Sequence, residues 1–400
     1  MLLGTGPHGN IVGRRVAITG LGVVACCGIG TEPFWSGLLG PAPEGERRVP
    51  DFDPERWLST KEARTLDRFA QFSVAVADMA LADAGDPGAD PGRSGVVMGT
   101  GVGGLQSLET QILVFAEKGA KRVSPRLVPM MMSNAGAAAV SMRLGWHGPS
   151  ETVITACAAG AHSIAHAARL VASGRCDVAV GGAAEAGMTD VGIAAFANMT
   201  ALSTTGNSRP FDIRRDGFVM TEGAGALVLE DWDRAVARGA HIYGELSGAA
   251  STADAHHITA PAPGGSGAAA CMQLAMDDAG IGPDQVRHIN AHGTSTPLND
   301  QAESDAIGKV FGADSPPVTS VKGVTGHGLG ASGAIEAVAA VLTIAHATIP
   351  PTVGYEEPDP DIHLDIVAGG ARSWEPGPIL SNSFGFGGHN GCLVISPPRP

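Results

Sequence analysis

The sequence has few aromatic residues, which make up 4% of its 400 residues, and few charged residues, which make up 16%. Only five residues are lysine, and 40 acidic residues against 26 basic ones give a formal net charge of −14. Nucleic acids and anionic membrane surfaces are bound by clustered lysine and arginine. The charge balance therefore argues against both kinds of partner.

The sequence has six cysteines but no CxxC spacing and no cluster of histidine and cysteine, so neither a disulfide framework nor a metal site is predicted. No apolar run reaches the roughly 18 residues of a membrane-spanning helix. The apolar run after Arg14 and Arg15 is broken by glycines, which favours a strand and turn over a signal peptide. We therefore expect a cytoplasmic protein.

Hydrophobic residues make up 44% of the chain, and short β-rich runs alternate with longer Ala/Leu-rich segments, which predicts an α/β fold. Strands are predicted at Val16–Ile18, Val96–Met98, Val153–Thr155, Val178–Val180, Ala226–Leu229, Val318–Ser320 and Leu393–Ile395. Helices are predicted at Phe69–Ala84, Ala161–Ala172, Gly267–Ala279 and Ala334–Ala345.

The two parts of the sequence repeat the same order of features. Residues 79–85 (MALADAG) lead through a strand to a GTG segment at 99–101, and residues 274–280 (LAMDDAG) lead over a similar distance to HGT at 292–294. This indicates a duplicated strand–helix unit. We predict an N-terminal half at residues 1–240, which has inserted loops and a candidate nucleophile, and a C-terminal half at residues 241–400.

Two motifs point to other chemistry but only weakly. Residues 99–104 match GxGxxG after a strand, yet no acidic residue ends a second strand about 20 residues later, so a tight backbone turn is preferred to a dinucleotide site. His162 and His166 lie four residues apart, as metal ligands on a helix do, but the HExxH pattern is not met.

The segment around Cys157 carries the strongest chemical signal, because this cysteine follows an apolar strand and opens a helix of small residues. The free N–H groups of a helix N-terminus stabilise a thiolate and lower the thiol pKa. The same groups also bind the oxygen of a tetrahedral intermediate. A buried structural cysteine is the alternative interpretation.

Three later clusters favour a catalytic cysteine. His292 ends a predicted strand within NAHGTST, and VKGVTGH places Lys322 and His327 before a helix that contains Glu336. A glycine-rich aromatic loop, NSFGFGG, follows at residues 382–388. A nucleophilic cysteine with two histidines fits a site that acts on thioesters.

These segments resemble the β-ketoacyl-[acyl-carrier-protein] synthases, the decarboxylating condensing enzymes of the thiolase-like superfamily, and most closely the elongating type. The resemblance spans nearly the whole chain through TACAAGAHSIAHAAR, RPFDIRRDGFVMTEGAGALVLE, NAHGTSTPLND, VKGVTGHGLGASGAIEA and NSFGFGGHNG. It implies the five-layered α-β-α-β-α sandwich of two pseudo-duplicated halves, in a dimer. No cofactor is implied, because the substrates are carried on the phosphopantetheine of an acyl carrier protein.

The resemblance also implies residue roles. Cys157 accepts the acyl group, and its N–H forms an oxyanion hole with that of Phe386, which also serves as a gate. His292 and His327 stabilise the enolate left when malonyl loses CO2, Lys322 organises the site, and Glu336 anchors Lys322 or nearby loops. The implied substrate-binding residues are Thr294, Thr296, Leu108, Phe196 and Phe384.

In the family that this chain resembles, arginine is common at the position of Thr200, and that arginine contributes to carrier docking. Since carriers are acidic, an enzyme of this net charge needs a local basic patch. The candidates for this patch are Lys61, Arg64, Arg68, Lys118, Lys121, Arg122 and Arg126. An ordinary solvated surface is the alternative for all of them.

Several functions remain open within the same fold. The chain is expected to elongate fatty acids or type II polyketides, either as a homodimer or paired with a chain-length factor. A non-catalytic binding subunit is disfavoured, because such subunits replace the nucleophile. A degradative thiolase needs a second catalytic cysteine in a glycine-rich loop, and Cys392 instead falls in a predicted core strand. Nothing matches the local signatures of a Cys–His hydrolase.

Overall fold

The computed structural model describes residues 13–43 and 46–399. The strands are β1 (Val16–Ala25), β2 (Gly28–Ile29), β3 (Ser94–Gly99), β4 (Ser150–Glu151), β5 (Val178–Glu185), β6 (Gly223–Asp231), β7 (Gly244–Ala253), β8 (His288–Asn290), β9 (Val318–Thr319), β10 (Thr348–Ile349), β11 (Arg372–Ser373), β12 (Ile379–Gly385) and β13 (His389–Ser396). The α-helices are α1 (Thr31–Leu38), α2 (Thr60–Ala63), α3 (Arg68–Ala84), α4 (Leu105–Lys118), α5 (Leu127–Met131), α6 (Ala135–Leu144), α7 (Ala159–Ala172), α8 (Asp190–Asn198), α9 (Trp232–Ala237), α10 (Ser266–Ala279), α11 (Pro297–Phe311), α12 (Lys322–Thr325) and α13 (Ser332–Ala345).

Ten strands form two arrays with the same topology. The order is β4-β3-β5-β6-β1 in the first part of the chain and β9-β8-β12-β13-β7 in the second. In both arrays the first three strands pair in parallel and the last two antiparallel. The arrays join where β1 and β7 pair over two residues of each strand. The repeated order confirms the pseudo-duplicated halves, whereas the division at residue 240 stays a prediction.

Helices cover and separate the two arrays, which gives five layers. Helices α3 and α6 pack on the outer face of the first array, and α10 packs with α11 on the outer face of the second. Helices α7 and α13 lie between the arrays and contact both. This is the α-β-α-β-α sandwich expected from the resemblance.

The central layer explains the composition of its helices. Every residue of α13 from Ser332 to Ile344 is buried, because this helix has a sheet on each side. A helix buried all round is apolar on all faces, and α13 is apolar except for a few residues such as Glu336. The charged side chain in this setting therefore needs a specific partner.

Two glycines bring α7 and α13 into backbone contact. A Cβ atom on Gly160 would lie 2.5 Å from the main-chain nitrogen of Ala334. A Cβ atom on Gly333 would lie 2.8 Å from the main-chain nitrogen of Ala161. Because neither helix tolerates a side chain at these positions, the N-termini of both helices are held together.

The predicted helices are confirmed, although α7 and α13 each begin two residues earlier than expected. The strand predicted at Val153–Thr155 is wrong: β4 ends at Glu151, and Thr155 leads with φ −127° and ψ 45° into a 3₁₀ turn. Within the described residues, no helix combines the length and the apolarity needed to cross a membrane.

Candidate active site

Cys157 lies in the 3₁₀ turn Ala156–Ala158, which leads directly into α7. Ala156 has a φ of 49°, in the left-handed region that a residue with a side chain rarely adopts. Backbone in such regions persists where the surrounding structure holds it in place, often at active sites. The turn leaves Cys157 buried, with 6% of its surface exposed, in the wall of a cavity.

His327 is the side chain hydrogen-bonded to the thiol. Its Nε2 lies 3.1 Å from Cys157 Sγ, and its Nδ1 lies 2.9 Å from Ser332 Oγ. The backbone of His327 is held on both sides, since its N–H donates to Val219 and its carbonyl accepts from Thr221. The imidazole therefore has little freedom to leave the thiol.

His292 is held by Lys322. The Lys322 Nζ donates to His292 Nδ1 at 3.3 Å and to the His292 carbonyl at 2.6 Å, and it pairs with Glu336. An ammonium group has donors only, so His292 Nδ1 must accept and His292 Nε2 must carry the proton. The Lys322–Glu336 pair thus turns His292 into a hydrogen-bond donor toward the cavity.

The three predicted residues converge. Ligand-type atoms of Cys157, His292 and His327 all lie within 4.8 Å of one another, a spacing that could also hold a metal ion. Metal ligands must be deprotonated, and the buried Lys322 ammonium beside His292 opposes a second positive charge. We therefore interpret the cluster as a nucleophile with two imidazoles, and the absence of a metal stays a prediction.

Burial governs the protonation of this cluster. It raises the pKa of the Cys157 thiol to about 11, with Lys322 opposing the shift. It also lowers the pKa of His292 and of His327 well below the ordinary value, and Lys322 adds to both shifts. The expectation of a lowered thiol pKa is wrong because desolvation outweighs the charge of Lys322. The resting site holds a thiol and neutral imidazoles.

The loop after β12 packs against the cysteine turn. A Cβ atom on Gly385 would lie 3.0 Å from the main-chain nitrogen of Cys157, so the backbones approach closely. The main-chain N–H groups of Phe386 and Cys157 lower the thiol pKa, against the larger effect of burial. An oxyanion hole formed by these two N–H groups stays a prediction.

A cavity of about 540 Å³ opens from the cysteine. Its walls include the predicted Phe196, Phe384, Thr294 and Thr296. The Thr294 and Thr296 hydroxyls lie 2.9 Å apart, and the ring centroids of Phe196 and Phe386 lie 6.4 Å apart. The volume and the mainly apolar wall suit a small organic chain.

Other predicted residues lie elsewhere. Leu108 is half-buried on α4 and does not line this cavity. None of the seven docking candidates lines it either, and Arg68 pairs at 2.8 Å with the buried Glu222. The other six candidates are exposed. The pair with Glu222 gives Arg68 a structural contact, and a docking role stays a prediction for all seven candidates.

Sequence reasoning missed two buried carboxylates. Glu303 on α11 accepts the N–H of His292 at 2.8 Å and that of Gly293 at 2.7 Å, and Glu185 accepts the N–H of Gly101 at 2.6 Å. Burial raises the pKa of each of these two carboxyls to about 7. Glu303 fixes the main chain that carries His292, and no motif in the sequence signalled this contact.

The residues that suggested a metal site or a second catalytic cysteine have structural surroundings that explain them. His162 contacts the Thr155 hydroxyl and the Asn390 carbonyl, whereas His166 contacts Glu151, so the two histidines serve different partners. Cys392 lies in β13 with no exposed surface, as predicted for a core residue. It does not line the cavity.

The site can perform acyl transfer through a thioester. A thiol at a helix N-terminus offers a nucleophile, two backbone N–H groups stabilise a tetrahedral oxygen, and an imidazole N–H stabilises an enolate oxygen. A thiolase-like sandwich with this cluster defines a condensing enzyme of the acyltransferase class.

Comparison with known proteins supports this class of enzyme. The β-ketoacyl synthase N-terminal domain matches residues 44–235, and the β-ketoacyl synthase C-terminal domain matches residues 243–356. The 3-oxoacyl-[acyl-carrier-protein] synthase 2 of Synechocystis is 44% identical, covering 96% of this chain and 99% of that protein. The enzyme of the same name from Rhizobium meliloti is 41% identical, covering 96% of this chain and 98% of that protein. This chain belongs to the β-ketoacyl synthase family.

Solved structures show the same fold. The ishigamide ketosynthase/chain length factor superposes with a TM-score of 0.91 at 34% identity, covering 97% of this chain and all of that one. A β-ketoacyl synthase from Burkholderia phymatum superposes with a TM-score of 0.88 at 33% identity, covering 96% of this chain and all of that one. A chain of the AntDE:AntF complex, described as a type II PKS acyl-carrier protein in complex with its ketosynthase, superposes with a TM-score of 0.88 at 33% identity. The superposition covers 97% of this chain and all of that one.

Proposed function

We propose that this chain elongates acyl chains by decarboxylative Claisen condensation, joining a malonyl group on an acyl carrier protein to an acyl group held on Cys157. The observation that carries the proposal is the convergence of the Cys157 sulfur with His292 and His327 within 4.8 Å, in the wall of a largely apolar cavity. The pathway is fatty-acid or type II polyketide synthesis.

In the first half-reaction, the Cys157 sulfur attacks the acyl thioester and the carrier thiol leaves. The N–H groups of Cys157 and Phe386 hold the negative oxygen of the tetrahedral intermediate. The acyl chain then occupies the apolar part of the cavity beside Phe196. Phe386 would act as the gate that moves when the chain enters, and Gly387 and Gly388 beside it have φ of 86° and 73°.

In the second half-reaction, malonyl-carrier binds and loses CO2. Two electrons from the broken carbon–carbon bond form a thioester enolate, and His292 Nε2–H and His327 Nε2–H donate to its oxygen. Lys322 keeps His292 in the required tautomer. The enolate carbon attacks the acyl carbonyl, and the Cys157 sulfur leaves to release a 3-oxoacyl-carrier two carbons longer. Thr294 and Thr296 would hydrogen-bond the pantetheine arm.

We propose a dimer as the working unit, either of two copies or with a chain-length-factor-like subunit. Helix α4 exposes Ile112, Leu113 and Phe115 over 56%, 57% and 57% of their surface. A cluster of exposed apolar side chains marks an interaction surface. The acyl carrier protein is the second proposed partner; no cofactor is proposed, and a cytoplasmic location stays a prediction.

Intact-protein mass spectrometry tests the proposed function. The protein and its Cys157→Ser variant are incubated with acyl-carrier thioesters of different chain length. We expect the wild-type protein to gain the mass of one acyl group and the variant to gain none under matched conditions. Absence of an adduct with every carrier, in folded protein supplied with a chain-length-factor subunit, would contradict the proposal and favour a binding role.

A further inference from the structure

The Ser332 hydroxyl lies between two groups at the start of α13. Its oxygen accepts the N–H of Gly328 at 2.9 Å and lies 2.9 Å from His327 Nδ1. The side chain is buried, with 3% of the residue exposed. With one lone pair engaged by Gly328, the hydroxyl keeps a hydrogen to donate and a second lone pair with which to accept.

The two catalytic histidines therefore have different partners. Lys322 can only donate, so it fixes His292 in the tautomer with the proton on Nε2. A hydroxyl can donate to His327 Nδ1 or accept from it. His327 is thus stabilised in either tautomer, whereas His292 is stabilised in one.

The two half-reactions require opposite tautomers of His327. When Cys157 attacks a thioester, its thiol must lose a proton, and the hydrogen-bonded His327 Nε2 is placed to accept it only if that nitrogen is unprotonated. When malonyl loses CO2, the same Nε2 must donate an N–H to the enolate oxygen. Because burial raises the pKa of Cys157 to about 11, the thiol does not ionise unaided at neutral pH.

We propose that Ser332 is a positioning residue that allows His327 to serve as base in acyl transfer and as hydrogen-bond donor in decarboxylation. In acyl transfer, Ser332 accepts from Nδ1–H while the thiol proton passes from Cys157 to Nε2 and then to the leaving carrier sulfur. In decarboxylation, Ser332 donates to Nδ1 and Nε2 holds the proton. Between the two, the imidazole exchanges its proton with solvent and the hydroxyl rotates.

This inference rests on the proposed function, and measuring the half-reactions separately tests it. Acylation of Cys157 is followed by single-turnover mass spectrometry, and CO2 release from malonyl-carrier is followed in a Cys157→Ala background. The variants are Ser332→Ala and Ser332→Thr. The control is Ser73→Ala, a buried serine in α3 whose hydroxyl donates to the Phe69 carbonyl.

We expect Ser332→Ala to lower the maximal rate of both half-reactions by roughly 10-fold to 100-fold with little change in half-saturation. Ser332→Thr keeps the hydroxyl and is expected to recover at least a third of each lost rate, while Ser73→Ala changes neither. If thermal melting shows that the threonine variant is unfolded, Ser332→Cys replaces it, and its weaker S–H group is expected to give intermediate rates.

Rates of Ser332→Ala within threefold of wild type in either half-reaction would overturn the two-way role. Equal losses that a folded threonine or cysteine variant does not recover would also overturn it, because they indicate a packing role alone. If wild-type protein itself performs neither half-reaction, the proposed function fails instead, so the two failures are distinguishable.

Discussion

The two helices of the central layer begin in the same way, and they differ in what they present at that point. Helix α7 follows the 3₁₀ turn Ala156–Ala158, and α13 follows the 3₁₀ turn Leu329–Ala331. The first residue of each turn is left-handed, with φ of 49° at Ala156 and 45° at Leu329. The duplication therefore preserved an uncommon backbone feature in both halves.

The next residue shows the difference. In the first half it is Cys157, which faces the cavity, and in the second half it is Gly330, whose N–H donates to Glu185 at 3.2 Å. A Cβ atom on Gly330 would lie 2.2 Å from the main-chain nitrogen of Gly101. The same turn is thus open to substrate in one half and filled by protein in the other, so open space, rather than the turn itself, makes a nucleophile useful.

The largest expected effect comes from making the two turns alike with Cys157→Gly. We expect condensation to fall by roughly 10⁴-fold or more, because the nucleophile is lost. Decarboxylation should persist within tenfold, since His292, His327 and Lys322 remain in place. Product formation by mass spectrometry and CO2 release are measured side by side, and equal loss of both would show that the halves do not divide the reaction.

Lys322→Met tests the charge supplied by the second half. Decarboxylation should fall about 10²-fold to 10³-fold as His292 loses its fixed tautomer. The variant should also lose about 3–5 kcal/mol of unfolding free energy, because Glu336 is left as an unpaired buried carboxyl. Denaturant unfolding is compared with that of Lys322→Met/Glu336→Met. Recovery of stability without recovery of decarboxylation is expected, and recovery of both would contradict the role of Lys322.

The Gly160→Ala variant tests whether stability and condensation need the backbone contact between α7 and α13. The added methyl group meets the Ala334 backbone, so we expect a loss of about 1–3 kcal/mol in unfolding free energy. Condensation should fall about 10²-fold as the thiol moves away from His327. The control is Gly308→Ala in α11, where a Cβ atom meets no other group within 4 Å and stability should rise by up to about 1 kcal/mol. Unchanged condensation in Gly160→Ala would show that the contact is not needed.

The smallest expected effect is on the pH dependence of stability through Glu185, which fills the second turn. Because burial raises the pKa of Glu185 to about 7 from an ordinary 4.5, the folded state holds a proton that the unfolded state has lost. Stability should therefore fall as pH rises from about 4.5 to about 7, by up to about 3 kcal/mol for this group.

Urea unfolding across this pH range compares the wild-type protein with Glu185→Gln. The fall should be smaller in the variant and unchanged in Glu375→Gln, since Glu375 is exposed. Part of the loss of stability should remain in Glu185→Gln, because burial also raises the pKa values of Glu303 and Glu336. An identical fall in wild type and Glu185→Gln would contradict the assignment.

The α/β class, the duplication and the candidate reacting residues could be predicted from local patterns, whereas the five-layered sandwich and the residue roles were implied by the family resemblance. Strand and helix periodicity repeats in the two halves, and Cys157 can be recognised by its place between a β-rich run and a helix of small residues. The histidines and Lys322 follow strands in short polar segments in the same way. The structure brings all of them into one cluster.

The remaining parts depend on distant contacts. The pKa of Cys157 depends on how completely it is desolvated, which the helix N-terminus alone does not reveal. Glu303 reaches back from α11 to the main chain of His292, a contact that no spacing in the sequence indicates. Arg68 was expected to be a surface cation, whereas the structure pairs it with the buried Glu222. Ser332 lies in the segment VKGVTGHGLGASGAIEA, but only the structure shows that its hydroxyl contacts His327.

The reciprocal contact of Gly160 and Gly333 has a consequence for how the two halves can change. In a duplicated fold, the two copies cannot accept side chains independently at positions where their backbones touch. At these two positions each copy constrains the other, because a side chain in either would push both helices apart. One half supplies the nucleophile and the other supplies the imidazoles, so a side chain at either glycine would change the distance between the two sets of reacting groups. The two halves therefore share one constraint on the geometry of the site.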